Sequence, residues 1–329
     1  MTWLTWRQFR AQTVIAAAAL AVLAIILLTT GRQLSHTFDA TVIGCRARGD
    51  CTGAMNALQG QDVLLQDLTR LLMYVVPAVI GLFWGAPLLA RELETGTYQL
   101  AWMQGVTRGH WFAVKLTLTG LASVATAGLL SLMVTWWSGP LERVSLGRIT
   151  PGEFSEGGIV IIGYAAFAFA LGVTAGLLIR RTLPAMTVTL AIFVGVQVAM
   201  PFWIRPHLIT PVRAVSALKI AGVSIVGTGS GGTLSVEATP NVPGAWIYSE
   251  QVTTASGNTD LGRAPAQCGP NSGYNACQAA IGRMHLRQVV VYQPAGRYWE
   301  FQWYETAIYL AVALVLAGLC WWWVRRRVT

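Results

Sequence analysis

The chain has 329 residues, of which 54% are hydrophobic and 11% charged, and a formal net charge of +9. Soluble domains carry about 25% charged residues, so a chain exposed to water along most of its length is excluded. The basic excess sits in Arg clusters beside apolar runs, with no basic stripe and no nucleic-acid-binding motif, which argues against nucleic acid as a partner.

A helix needs about 20 apolar residues to cross the hydrocarbon core of a bilayer. Six runs qualify: Thr13–Thr30, Leu71–Ala90, Phe112–Trp137, Gly158–Ile179, Leu183–Trp203 and Tyr304–Val324. The first follows MTWLTWRQFR, in which Trp3, Trp6 and Arg10 recur at helical spacing beside Phe9. Residues 1–12 therefore read as an interfacial amphipathic helix or as a flanking tail with aromatic-belt residues. A signal peptide is a further reading of this run. Its length and the poor cleavage site at Leu28-Thr29-Thr30-Gly31 favour an uncleaved anchor. No run has a charge at its centre: Lys115 lies one turn inside the third, where it can snorkel, and Glu305 at the edge of the sixth.

Arg7 and Arg10, then Arg91, Arg108 and Lys115, then Arg180-Arg181, then Arg325–Arg327 all fall on one side. By the positive-inside rule that side is the cytoplasm, and both termini lie there. The expected fold is an all-α polytopic protein of six transmembrane helices, with a small α+β extracytoplasmic domain between the fifth and sixth. Residues 13–203 hold the first five helices, 204–303 the domain, and 304–329 the last helix with a basic tail; membrane lipid is the surrounding partner.

Four of the five cysteines fall on the outer side. CRARGDC holds Cys45 and Cys51, and CGPNSGYNAC holds Cys268 and Cys277. Local pairs close two short polar loops and imply an oxidising compartment. Zinc is the alternative, although no His stands at ligand spacing. Cys320, in the sixth run, reads as a buried thiol.

Within 204–303, AGVSIVGTGSGGTLSVEATP reads as two strands joined by a Gly/Ser turn, Gln288–Tyr292 as a strand, and Ala276–Leu286 as a short helix. GTGSGG lacks the GK[ST] and following helix of a phosphate loop, no G-x-S-x-G elbow occurs, and His207 and His285 stand alone. No catalytic constellation emerges.

The only sizeable inner loop lies in GAPLLARELETGTYQLAWMQGVTRGHWFAVKL, Gly85–Leu116. Polar Glu92, Glu94, Gln99, Gln104 and Arg108 alternate with Leu93, Leu100, Trp102 and Met103, as in a short amphipathic helix. Gly96-Thr97 marks a break or cap, and Thr107 a cap for the next run. Composition alone leaves this patch as either a docking element or a helix that fills space between spans.

This stretch resembles the cytoplasmic loop of ABC-2-type permeases: Glu92 and Glu94 precede Gly96-Thr97, then come Leu100, the pair Thr107-Arg108, and Lys115 entering the next run. Gln104 stands where that family often has Pro. By motif the resemblance covers Arg91–Leu116, and by topology the whole chain. It implies a coupling helix at about 91–111, through which Arg91, Glu92, Glu94, Gly96, Thr97, Trp102, Met103 and Arg108 engage a separate cytoplasmic ABC ATPase. It further implies two ATPase copies carrying ATP and Mg, a second permease chain, no cofactor on this chain, export as the direction, and a bacterial plasma membrane location. With no Walker A sequence, the chain is expected to be a transport subunit rather than an enzyme.

For the substrate path, Thr119 and Ser123 of the third run and Gln197 of the fifth are the expected residues, with Gln197 the most polar at membrane depth. The scarcity of charge favours an apolar or amphiphilic cargo such as a drug, lipid or peptide. Gly128, Gly172 and Gly176 read as packing residues. Two other classes compete: a membrane-anchored receptor or enzyme acting through its outer domain, and an ion-coupled transporter. The latter usually carries mid-span carboxylates, which these runs lack.

Overall fold

The computed structural model describes residues 2–46, 63–96, 107–142, 147–219, 223–228, 234–240, 242–268 and 273–327. Cys51, Thr97, Trp102 and Met103 lie outside the described residues, as do the side chains of Cys45 and Arg108, so the expected Cys45–Cys51 pair does too.

Among the described residues, six helices are long and apolar enough to cross a membrane. They are span 1 (Phe9–Thr37), span 2 (Val63–Thr95), span 3 (Gly109–Gly139), span 4 (Val160–Ile179), span 5 (Thr182–Leu208) and span 6 (Ala295–Arg326). The chain is mostly helical with a small sheet region, as its sequence implies. Span 1 belongs to one helix, Thr2–Arg46, which continues through residue 12; the first 12 residues contain no Gly or Pro to interrupt it. Two compact units emerge: a membrane-spanning unit, and a small unit of Leu146–Thr150 and Ile209–Arg297.

Span 4 is the hub of the larger unit. In its apolar window 83% of residues are buried, against at most 39% in any other span. Span 4 packs on spans 2, 3, 5 and 6. The others turn apolar side chains outward, including Ile15, Leu64, Leu132, Leu183, Phe202 and Leu314. Such surface needs lipid or another apolar partner, and helices satisfy their own backbone groups there.

Spans 2 and 4 meet backbone to backbone. A Cβ on Gly85 would lie 2.6 Å from the Phe169 carbonyl oxygen, one on Gly81 2.7 Å from that of Ala168, and one on Gly172 2.7 Å from the Ala86 nitrogen. Gly81 and Gly85 on span 2 and Gly172 and Gly176 on span 4 thus form a small-residue seam at four-residue spacing. Span 2 carries a π-helical segment at Ile80–Gly85, between Pro77 and the Pro87 that opens Ala86–Thr95. Each proline removes an N–H and disturbs the i→i−4 ladder locally.

At the end of the bundle opposite Glu92, spans 4, 5 and 6 are locked by buried polar groups. Arg205 Nε and Nη2 donate to the two Glu305 carboxylate oxygens at 2.8 and 3.1 Å. The side chains of this pair are 1% and 0% exposed. The Tyr164 hydroxyl donates to Glu305 at 2.6 Å, and the Arg205 guanidinium lies 3.9 Å above the Phe154 ring. Gln302 accepts from the Val160 N–H at 3.0 Å and donates to the carbonyls of Phe154 and Gly157. It therefore satisfies an orphan donor where span 4 begins. Gly158 sits there at φ 88°, a left-handed conformation suited to glycine. Nearby, Arg70 of span 2 ion-pairs with Glu156 and Glu153.

In the small unit, β1 (Val212–Ala217), β4 (Trp246–Thr253) and β5 (Arg287–Gln293) form an antiparallel sheet in the order β1-β5-β4. A separate hairpin pairs β2 (Val223–Thr228) with β3 (Leu234–Ala238), Val223 facing Ala238. These are the two strands expected around the Gly/Ser turn, and β5 contains the expected Gln288–Tyr292. The helix Tyr274–Arg283 carries Cys277, bonded to Cys268 with Cα atoms 4.6 Å apart. Cys277 packs in a core with Leu234, Val236, Val252, Ile281 and Leu286.

Two predictions follow from this packing. Gly172→Leu and Gly85→Leu are expected to destabilise by about 1–3 kcal/mol through overpacking. Gly195→Ala, whose added methyl meets nothing within 4 Å, leaves the thermal midpoint in detergent unchanged. Equal effects at all three positions would contradict the seam. Arg205→Met alone strands a buried carboxylate and is expected to cost about 3–5 kcal/mol, while Arg205→Met with Glu305→Leu recovers most of it. A double variant no more stable than the single one would contradict the buried pair.

Candidate functional site

The helix Ala86–Thr95 ends span 2. Ala86, Leu89 and Ala90 are buried, so Arg91, Glu92, Glu94 and Thr95 reach its rim. The helix stops at Gly96, whose φ of 72° is the left-handed C-cap that glycine adopts without a Cβ penalty.

Two side chains just before that stop fasten span 2 to other helices. Glu92 ion-pairs with Lys115 of span 3, 23 residues on. The Lys115 side chain is 5% exposed and its ammonium lies 5.0 Å from the Trp111 ring centroid. Glu94 accepts two hydrogen bonds from Thr182 at the start of span 5, from its backbone N–H at 3.1 Å and its hydroxyl at 2.8 Å. A carboxylate there answers an unsatisfied N–H and the positive end of the helix dipole. Across the loop, the Thr107 hydroxyl accepts from the His110 N–H at 3.4 Å where span 3 begins. The segment containing Thr97, Trp102 and Met103 therefore leaves from, and returns to, a fastened base.

Glu92 and Glu94 are thus both engaged by this chain's own groups. Arg91 is exposed and takes no ion pair among the described residues. Arg108 opens the helix Arg108–Glu142.

The expected path residues are not gathered at one place. Thr119 is buried, its hydroxyl donating to the Lys115 carbonyl at 2.5 Å, and it lines a cavity of about 520 Å³ with Arg91, Glu92, Thr95 and Lys115. Ser123 is fully buried and donates to the Thr119 carbonyl at 2.7 Å. Gln197 lies against span 6, where its Oε1 accepts from the Tyr309 hydroxyl at 3.0 Å.

Sequence reading missed the partners of the charged groups. Lys115 was read as snorkelling, and Glu305 as an edge residue. The signal for the second was present: a lone acid at the mouth of one apolar run, and an Arg closing the run before it.

The family model described as ABC-2 membrane transporter related matches residues 17–205, more than half of the chain. The match takes in most of span 1, spans 2 to 4, nearly all of span 5, and the fastened base. Comparison with curated proteins and with solved structures returned no match. With six apolar helices, the fourth of them buried among spans 2, 3, 5 and 6, this makes the chain a multi-pass membrane protein and a member of the ABC-2 membrane transporter related family.

Proposed function

We propose that the chain is the permease subunit of an ATP-driven exporter, with residues 91–111 acting as the handle for a separate cytoplasmic ABC ATPase. The observation that carries this reading is the double fastening at the handle's base. Glu92 ties it to span 3 and Glu94 to span 5, so a push on the loop would reach spans 2, 3 and 5 together. Without that fastening a displaced loop would act on spans 2 and 3 through the backbone alone and would not reach span 5. Two ATPase copies, holding ATP and Mg, would act on two permease chains, with the small unit on the extracytoplasmic side of a bacterial plasma membrane.

Contact with the ATPase falls in this scheme to Trp102, Met103 and Arg108. Trp and Arg are residues that dominate interface energies, and Met adapts to apolar grooves. Glu92 and Glu94 position the handle. The apolar character of the spans favours an apolar or amphiphilic cargo, moved outward.

Co-expression with an ABC ATPase encoded beside it, followed by affinity purification and an ATPase assay, tests the reading. A stable hydrolysing complex is expected. Trp102→Ala with Met103→Ala should weaken it about tenfold, the loss of one apolar anchor, while the permease keeps its thermal midpoint. Glu92→Lys with Glu94→Lys should instead lower that midpoint, since it puts a cation against Lys115. A permease that binds no ATPase with any nucleotide, or a complex indifferent to Trp102 and Met103, would refute the assignment.

A further inference from the structure

Two cavities of the membrane-spanning unit share three wall residues, Gln12, Phe83 and Trp84. The first is the polar one beside Arg91, Lys115 and Thr119. The second, about 450 Å³, runs between spans 1, 2 and 3 and is walled by residues such as Ala16, Leu20, Leu23, Val76 and Leu130. Apart from the Trp84 indole, its polar wall groups are those of Gln12 and Thr126: the Gln12 amide donates to the Phe83 carbonyl at 3.1 Å, and the Thr126 hydroxyl to that of Ala122 at 2.8 Å. The two therefore adjoin, the first charged and the second apolar.

The apolar lane has a definite length. Gln12 to Leu23 on span 1, and Leu72 to Phe83 on span 2, each cover 11 steps, or about 16 Å at the helical rise. Half the roughly 30 Å hydrocarbon core is about 15 Å, so the lane is one leaflet deep. Span 1 leaves room because its wall there includes Ala16 and Ala19. At the charged end Lys115 is neutralised by Glu92, which leaves Arg91 as the lining charge with no ion pair among the described residues. A fixed cation at the mouth of a leaflet-deep lane selects an amphiphile with an anionic head.

We propose that these adjoining cavities bind an anionic phospholipid from the leaflet on the Arg91 side, with its phosphate at Arg91 and one acyl chain in the lane. The site goes beyond the transport reading, since a resident lipid and a cargo lipid would occupy it alike, and it does not require the ATPase.

The test uses the purified full chain with phosphatidylglycerol and phosphatidylcholine of identical acyl chains. Native mass spectrometry is expected to show one phosphatidylglycerol retained per chain in preference to phosphatidylcholine. Arg91→Gln should cut that preference about fivefold, the effect of one basic residue near an anionic surface. Phosphatidylglycerol bearing a photoactivatable acyl chain, in vesicles, should label peptides spanning residues 12–23 and 72–84. Ala16→Trp should abolish the labelling at an unchanged thermal midpoint; should that variant fold poorly, Ala19→Phe fills the same lane with a smaller ring. Equal retention of the two lipids, or labelling spread over the outward faces of spans 5 and 6, or labelling that survives a folded lane-filling variant, would each overturn the site.

Discussion

Everything in the membrane-spanning unit hangs from the close approach of spans 2 and 4. Lipid tails are as apolar as leucine, so helices in a bilayer gain little by hiding apolar surface from them. They associate by packing, and Gly81, Gly85, Gly172 and Gly176 let two backbones touch. That contact holds span 4 at the centre, with spans 3, 5 and 6 around it. It also places the end of span 2 where Glu92 reaches Lys115 and Glu94 reaches Thr182.

The two ends of the bundle are fastened by different means. At one, the buried Arg205–Glu305 pair, with Tyr164 and Gln302, joins spans 4, 5 and 6. At the other, the carboxylates of Glu92 and Glu94 join spans 2, 3 and 5. The second fastening lies at the base of the loop with the strongest resemblance to a coupling helix. In the proposed scheme its charges transmit force into the bundle, and contact with the ATPase falls to Trp102, Met103 and Arg108. Buried ion pairs are costly to form in apolar surroundings, so their placement at helix ends, where they set which spans move together, fits a role in specifying geometry.

Much of the fold could be read from the chain. Runs of apolar residues declare spans because nothing else explains 20 such residues in a row. The Gly/Ser turn before Leu234 declared the β2–β3 hairpin, and QVVVY the strand β5. β1 and β4 escaped notice: VRAVSA and WIYSEQVT mix polar and apolar residues, and they become strands by pairing with β5 from sequence distances that no local pattern reveals. Residues 1–12 read as an interfacial helix or a flanking tail, and in the structure they belong to the single helix Thr2–Arg46. The site was legible as a location and not as a set of contacts. The string from Glu92 to Lys115 marked the loop, whereas the partner of Glu94 is 88 residues away and that of Arg205 is 100. Such pairings depend on which helices the glycine seam brings together.

The central claim is that the tip of the 91–111 loop is where the energy of ATP enters. The most direct measurement places a benzophenone amino acid at position 102 in membranes containing both subunits and illuminates them. An adduct between the permease and the ATPase, absent when the same probe replaces Asp67 at the other end of span 2, is the result this account predicts. ATPase adducts that form equally from position 67, or none from position 102 in membranes where the complex is intact, would contradict it.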